Sequence, residues 1–350
     1  VIEGASVAFE IAREQDGERL DRALTALWRA TAGADAPSRA ALQRWIREGR
    51  VRIAGLAATD PSASVRAGTR VDVTPAPGPA SDAEPEDLPL VVLHADDDLV
   101  VVDKAAGMVV HPAPGHDRGT LVNALLHRFG ALASEPSPPV ASEAGEDASD
   151  EEDTRGGPAL RRPGIVHRLD RWTSGVMVIA RTDRARDGLM AQLAVHSVDR
   201  EYLAIVEGLA PERARHETLH GRHPTDRKRF SGHARRGKRA VTNVERLEIL
   251  AGASLVRCRL ETGRTHQIRV HLSEAGLPLL ADALYGRVAR DPRVRDAAAA
   301  LGRQALHAAV LGFEHPRTGQ RMRFESPLPD DLARALAALR GIEPRRAGRR

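Results

Sequence analysis

Cysteine is almost missing: the 350 residues hold one, Cys258. A single thiol excludes an intramolecular disulfide framework and a cysteine-built zinc site, and the expected compartment is a reducing cytoplasm. No apolar run reaches the roughly 18 residues that a membrane helix needs, so an integral helical membrane protein is excluded. Val1 to Glu10 has no basic stretch leading into an apolar one, so no signal peptide is expected. The phosphate-cradling GxxxxGK[ST] and dinucleotide GxGxxG patterns are missing too, which argues against the common nucleotide-cofactor folds. Lysine is scarce. Of 52 basic residues only Lys104, Lys228 and Lys238 are lysines. The cation is therefore the guanidinium, a planar fork suited to phosphate oxygens and to stacking on bases.

What is present is an ordinary globular share of hydrophobic residues, 42%, and of charged residues, 29%, with a net charge of +4. The acids are unevenly placed. Residues 131–160 hold Glu135, Glu143, Glu146, Asp147, Asp150, Glu151, Glu152 and Asp153 against one base, Arg155. The remainder is correspondingly basic, which suits a polyanionic partner.

Composition shifts divide the chain. Residues 1–73 read as a compact unit, 74–89 as a proline-rich linker, 90–340 as the main body and 341–350 as a basic tail. Residues 131–160 read as a disordered insert. In the first unit, Leu20, Ala23, Leu24, Leu27 and Trp28 recur at helical spacing, and Ser38 can cap a second helix carrying Leu42, Trp45 and Ile46. Short strands follow at 51–53 and 71–73. Arg19, Arg39, Arg44, Arg47 and Arg50 decorate this unit. The main body reads as α+β. Strands are expected at 90–93, 99–103, 175–180, 201–207, 240–250, 255–261, 305–313 and 321–324. Helices are expected at 120–129, 183–195, 265–275 and 330–339, with Asp183 as a cap and Gly276 as a stop. Regular strand–helix alternation is lacking, which disfavours a doubly wound parallel sheet.

Two polar clusters stand out. In His167-Arg168-Leu169-Asp170-Arg171-Trp172-Thr173, a charged loop runs into the apolar strand VMVIA. Asp170 is its only carboxylate, and neighbouring guanidinium groups keep such a group ionised, usable as nucleophile or base. In Glu261-Thr262-Gly263-Arg264-Thr265-His266-Gln267-Ile268-Arg269-Val270-His271, a glycine turn opens a basic helix start suited to phosphate contact. His266 and His271 are five apart and do not make a helical zinc pair. Tyr202, one of two tyrosines, lies on an alternating strand that faces either core or cleft.

Taken in order, DKAAGMVVHP (103–112), GTLVNALL (119–126), VHRLDRWTSGVMVIART (166–182), REYLAIVEG (200–208), ETGRTHQIRVHL (261–272) and LHAAVLGFEHP (306–316) closely resemble the RluA-type pseudouridine synthase family. The first unit resembles the S4 RNA-binding fold, the arrangement of the ribosomal large-subunit (RluC/RluD-like) branch. The resemblance implies a mixed, largely antiparallel sheet domain behind a small S4-like α/β domain. It implies an isomerase that breaks the N1–C1′ bond of a uridine in RNA, most often 23S rRNA, turns the base and forms C5–C1′, with no cofactor and no metal. By position in these motifs Asp170 is the catalytic aspartate. Attack at C1′, attack on the base and removal of the C2′ proton all remain open to it. Tyr202 is expected to stack on the uracil. Arg264 is expected to be the cation paired with Asp170, with Arg269 as second choice, and Ile268 is the wall beneath the base. His167, Arg168 and Thr173 are expected to contact substrate, and Arg19, Arg39, Arg44, Arg47 and Arg50 to contact RNA. A monomer is the default. The competing readings are a non-catalytic ribosome-assembly factor and a tRNA-directed synthase. A glycosidase is disfavoured by the lack of a second convincing carboxylate.

Overall fold

The computed structural model describes residues 6–32, 37, 39–75, 83–111, 118–133, 163–226 and 228–341. Ser38, residues 76–82 of the expected linker, residues 134–160 of the expected insert and residues 342–350 of the basic tail lie outside them.

The N-terminal part is a four-stranded sheet with two helices on it. The strands are β1 (Val7–Glu10), β2 (Val51–Ile53), β3 (Leu56–Ala58) and β4 (Arg70–Val73), in the order β1-β4-β2-β3, all antiparallel. Helices α1 (Leu20–Ala32) and α2 (Arg39–Arg47) bury Leu20, Leu24, Trp28, Leu42, Trp45 and Ile46 against Val51, Val71 and Val73. Each such side chain contributes about 1.5–3 kcal/mol by leaving water. Asp21 is buried beneath them. Its carboxylate accepts from Arg19 (3.1 Å), Arg39 (2.7 Å) and Gln43 (2.5 Å), tying α1 to α2.

The rest is built on a ten-stranded sheet. Its strands are β5 (Val91–Ala95), β6 (Leu99–Lys104), β7 (Ser174–Ala180), β8 (Asp199–Glu207), β9 (Arg213–Arg222), β10 (Phe230–Ser231), β11 (Lys238–Leu250), β12 (Ala253–Leu260), β13 (Leu306–Glu314) and β14 (Arg321–Glu325). The order is β10-β9-β11-β12-β8-β13-β7-β6-β5, with β14 on β13. Neighbours are antiparallel apart from β7 and β13, which run parallel where His307 meets Ser174 and Ala308 meets Gly175. Gly175 permits this approach: at φ +120 it has no Cβ to strike the Ala308 backbone. Helices α3 (Leu121–Phe129), α4 (Asp183–Ala194), α5 (Gln267–Glu274), α6 (Pro292–Leu301) and α7 (Asp330–Leu339) complete the fold. The central core joins both halves of the sheet: Val100, Met177 and Ile179 pack with Ala204, Val256, Ile268 and Leu306.

Most expected elements are present within a few residues. The exceptions have physical reasons. β9 alternates polar side chains on both faces and carries no apolar signal (RARHETLHGR). α6, outside those expectations, is bounded by the Asp291 cap, Pro292 in the first turn and Gly302 in the left-handed region. The cap of α4 is Thr182, not Asp183: its hydroxyl accepts from the Ala185 amide at 3.2 Å. α5 begins at Gln267 rather than Thr265, because His266 takes a left-handed conformation (φ 57). Among the described residues no helix is long and apolar enough to cross a membrane.

Candidate active site

One cavity gathers the two polar clusters. Asp170, His167, Arg168 and Thr173 line it from the loop before β7; Arg200 and Tyr202 from β8; and Arg264, His266, Ile268 and Arg269 from the start of α5.

The Asp170 loop is held from below. The Lys104 ammonium, fully buried at the end of β6, donates to the carbonyls of Ala105 (3.0 Å), Met108 (2.9 Å) and Arg171 (3.1 Å). Gly107 N–H adds a bond to Arg171 O at 2.8 Å, and Thr173 N–H closes a turn on Asp170 O at 3.0 Å. The α5 side is fixed by Gln267. Its side-chain oxygen accepts from the Arg264 amide (3.0 Å) and the Thr262 hydroxyl (2.8 Å), while its amide nitrogen donates to Val241 O and Thr242 Oγ1.

Between these walls Asp170, 21% exposed, accepts from Arg269 Nη1 at 2.8 Å; His266 Nε2 lies 3.8 Å away and Gln304 Nε2 3.5 Å. Burial opposes the carboxylate charge, but His266, Arg269 and Arg168 outweigh it and hold the group below its ordinary range. Burial also pushes His266 down to about 4, so at neutral pH the positive charge comes from the arginines. Arg269 is held in turn by Asp282: Nε to Oδ2 is 2.8 Å and Nη2 to Oδ1 3.0 Å. Asp282 also accepts from the amides of Leu284 and Tyr285. Tyr285 completes the support. Its hydroxyl contacts His266 Nδ1 at 2.9 Å, and its ring lies 5.0 Å from the Arg269 guanidinium carbon. Tyr202 is pushed up to about 12, by burial above all, and stays a neutral phenol.

The expected pairing of Asp170 with Arg264 needs correction. Arg264 lines the cavity, but the cation on Asp170 is Arg269, the second choice; Arg264 Nε instead points to the Arg239 carbonyl at 3.3 Å. Arg264 precedes the helix, whereas Arg269 lies within α5 three residues after His266, on the same face. Helical side chains lean toward the N-terminus, and that brings Arg269 back toward Asp170. His167 forms part of the wall: its Nε2 accepts from the Val178 amide at 3.1 Å, and burial pushes the ring down to about 3. Thr173 is buried, with its hydroxyl 3.3 Å from Gln304 Nε2. Ile268 is buried and lines the cavity. In the N-terminal part, Arg19 and Arg39 are anchored on Asp21, and Arg44 and Arg50 sit near Glu48 (3.8 and 3.2 Å), while Arg47 is exposed. Asp282, Tyr285, Lys104 and Gln304 went unnoticed in the sequence. Asp282 stands 13 residues beyond Arg269 with no periodicity linking them. Away from the cavity, Asp96, Asp98 and His315 come within ligand distance of one another, but His94 and Arg317 already contact these carboxylates.

Comparison with known proteins gives this geometry its context. Residues 98–274 match the family model described as RNA pseudouridylate synthase, and residues 36–71 match that of the S4 domain. The Uncharacterized RNA pseudouridine synthase YlyB of Bacillus subtilis is 39% identical over 331 residues, covering 93% of this chain and 96% of its own. The chain belongs to the RNA pseudouridylate synthase family. Ribosomal large subunit pseudouridine synthase D of Zymomonas mobilis is 40% identical over 333 residues, 92% of this synthase and 94% of that relative. Among solved structures, Human RNA Pseudouridylate Synthase Domain Containing 4 shares the fold, with a TM-score of 0.50 at 23% identity over 71% of this synthase and 93% of that chain. The synthase is thus an isomerase acting on RNA.

Proposed function

We propose that this synthase isomerises uridines of large-subunit ribosomal RNA and that Asp170 is the reactive carboxylate. Relatives of similar length named ribosomal large subunit pseudouridine synthase D support the choice of RNA. The observation that carries the catalytic reading is the Asp170–Arg269 pair: an ionised carboxylate lining a cavity that Ile268 and Tyr202 also line. Ionisation through the neutral range makes Asp170 available without a separate base. The target uridine leaves its stack at a cost of a few kcal/mol, least in a loop. Tyr202 offers its ring to the uracil, and Arg168 and Arg264 offer charge to the flanking phosphates. Arg44, Arg47 and Arg50 of the N-terminal part contact RNA farther away, while Arg19 and Arg39 divide their donors between RNA and Asp21. One carboxylate suffices because the detached base remains bound and becomes the next nucleophile.

The test is pseudouridine mapping of total RNA from a deletion strain complemented with wild-type protein or Asp170→Asn. Wild type restores the missing large-subunit sites. Asp170→Asn restores none while its RNA affinity stays within a few-fold. Full restoration by Asp170→Asn refutes the assignment.

A further inference from the structure

Four arginines line the cavity: Arg168, Arg200, Arg264 and Arg269. Arg200 differs from three other deeply buried guanidinium groups of this protein. Arg186 is paired with Asp183 and Asp187, Arg303 with Asp331, and Arg269 with Asp170 and Asp282. Arg200 is only 8% exposed, yet among the described residues no carboxylate lies within ion-pair distance of it. Among the described residues its one hydrogen bond runs from Nη2 to the carbonyl of Glu261, at 3.0 Å, and its buried Nε has no acceptor.

A buried charge left this incomplete costs several kcal/mol, so it calls for a reason other than stability. The surroundings are shaped to admit it. A Cβ at residue 263 would collide with Nη1, and the residue there is Gly263. Arg200 and Tyr202 alternate on β8, so both present buried side chains on the same face, toward the wall where the base is proposed to stack. The guanidinium also favours negative charge near the Tyr202 hydroxyl.

The reaction creates a negative charge in need of such a partner. When the N1–C1′ bond breaks, its electron pair leaves on N1 and spreads over the uracil carbonyl oxygens. C5 then bonds to C1′, the C5 proton departs and N1 takes up a proton, so atoms and charge balance. We propose that Arg200 is a catalytic residue: its unused N–H groups bind a uracil carbonyl oxygen and stabilise the anionic base between cleavage of N1–C1′ and formation of C5–C1′. The assignment rests on the isomerase reading and on the Asp170 cavity being the active site. It has the logic of an oxyanion hole, with a fixed donor aimed where charge develops in a site shielded from water.

The experiment uses full-length protein under single-turnover conditions with two RNAs, one carrying uridine and one 5-fluorouridine at the target. Fluorine stabilises the departing base by itself; since it also blocks loss of a C5 proton, that RNA is followed by disappearance of the 5-fluorouridine nucleoside. Arg200→Gln is expected to slow the uridine substrate by roughly 10²–10³-fold, the usual cost of deleting such a donor, and the fluorinated one by only about tenfold. Arg200→Lys retains the charge and falls between wild type and Arg200→Gln on uridine. Because both rates come from one preparation, their ratio does not depend on the folded fraction. Equal slowing of both substrates, including loss of both, overturns the assignment, as does a uridine rate within threefold of wild type. Wild-type protein active on uridine and Asp170→Asn inert on both substrates show that the isomerase reading stands independently of this outcome.

Discussion

Arg269 links two carboxylates of unequal surroundings. Asp282 is buried, held by two backbone amides and two guanidinium bonds; Asp170 takes the remaining Nη1 donor and keeps one side to the cavity. Burial opposes the charge of Asp282, and Arg269 with those amides overrides it, holding this carboxyl also below its ordinary range. Removing that charge strands a buried cation and frees Arg269 to rotate off Asp170. Asp282→Asn is expected to cost about 3 kcal/mol in chemical denaturation, the scale for breaking a buried pair, and to reduce kcat on RNA with little change in KM. Unchanged kcat in the folded fraction would show that Asp170 does not depend on this anchor. Sequence reasoning reached Asp170, Tyr202, Ile268 and Arg269 because motif and residue type point to them. It chose Arg264 as the partner because adjacency in sequence says nothing of which guanidinium turns inward; the αL residue His266 and the lean of helical side chains decide that.

Among the elements, the joint between α1 and α2 makes its own prediction. Burial works against the Asp21 charge, but bonds from Arg19, Arg39 and Gln43 prevail and bring the carboxyl down to about 2. A folded value below the unfolded 3.8 stabilises the fold fully above about pH 4, and that contribution disappears as pH falls toward 2. Arg19 and Arg39 are partly exposed, so the contribution is set at about 1–2 kcal/mol. Asp21→Asn should therefore be less stable than wild type at pH 6, and the gap should close by pH 2 in denaturation followed by tryptophan fluorescence. A gap constant across that range would contradict the titration of Asp21. The helices α1 and α2 were legible because Leu20, Leu24 and Trp28, then Leu42, Trp45 and Ile46, repeat at 3.6-residue spacing. β9 was not, since a strand whose side chains are polar and whose contribution is mainly backbone pairing to β11 leaves no such pattern.

For the whole molecule, the basic surface makes RNA affinity depend on salt. Each phosphate contact releases condensed counterions, so log affinity falls with log salt in proportion to their number. Replacing Arg44, Arg47 and Arg50 together with alanine should lower the magnitude of that slope by about 2, measured by filter binding between 50 and 200 mM salt, with the saturated single-turnover rate retained. An unchanged slope would remove these arginines from the RNA contact. A loss of saturated rate would place them in the chemistry instead of in binding.

The order of motifs, the helical and alternating apolar spacings and the lone carboxylate before an apolar strand are local properties, so the sequence by itself determined the α+β class, the family and the candidate aspartate. Which cation meets that aspartate, that Asp282 and Tyr285 hold it in place and that Arg200 lies buried without a carboxylate were decided only by tertiary structure. Those relations join β8, α5 and the loops before β7 and after α5, segments up to about a hundred residues apart in the chain. Charge pairing at such range depends on distance and exclusion of water, and both exist only once the sheet has folded.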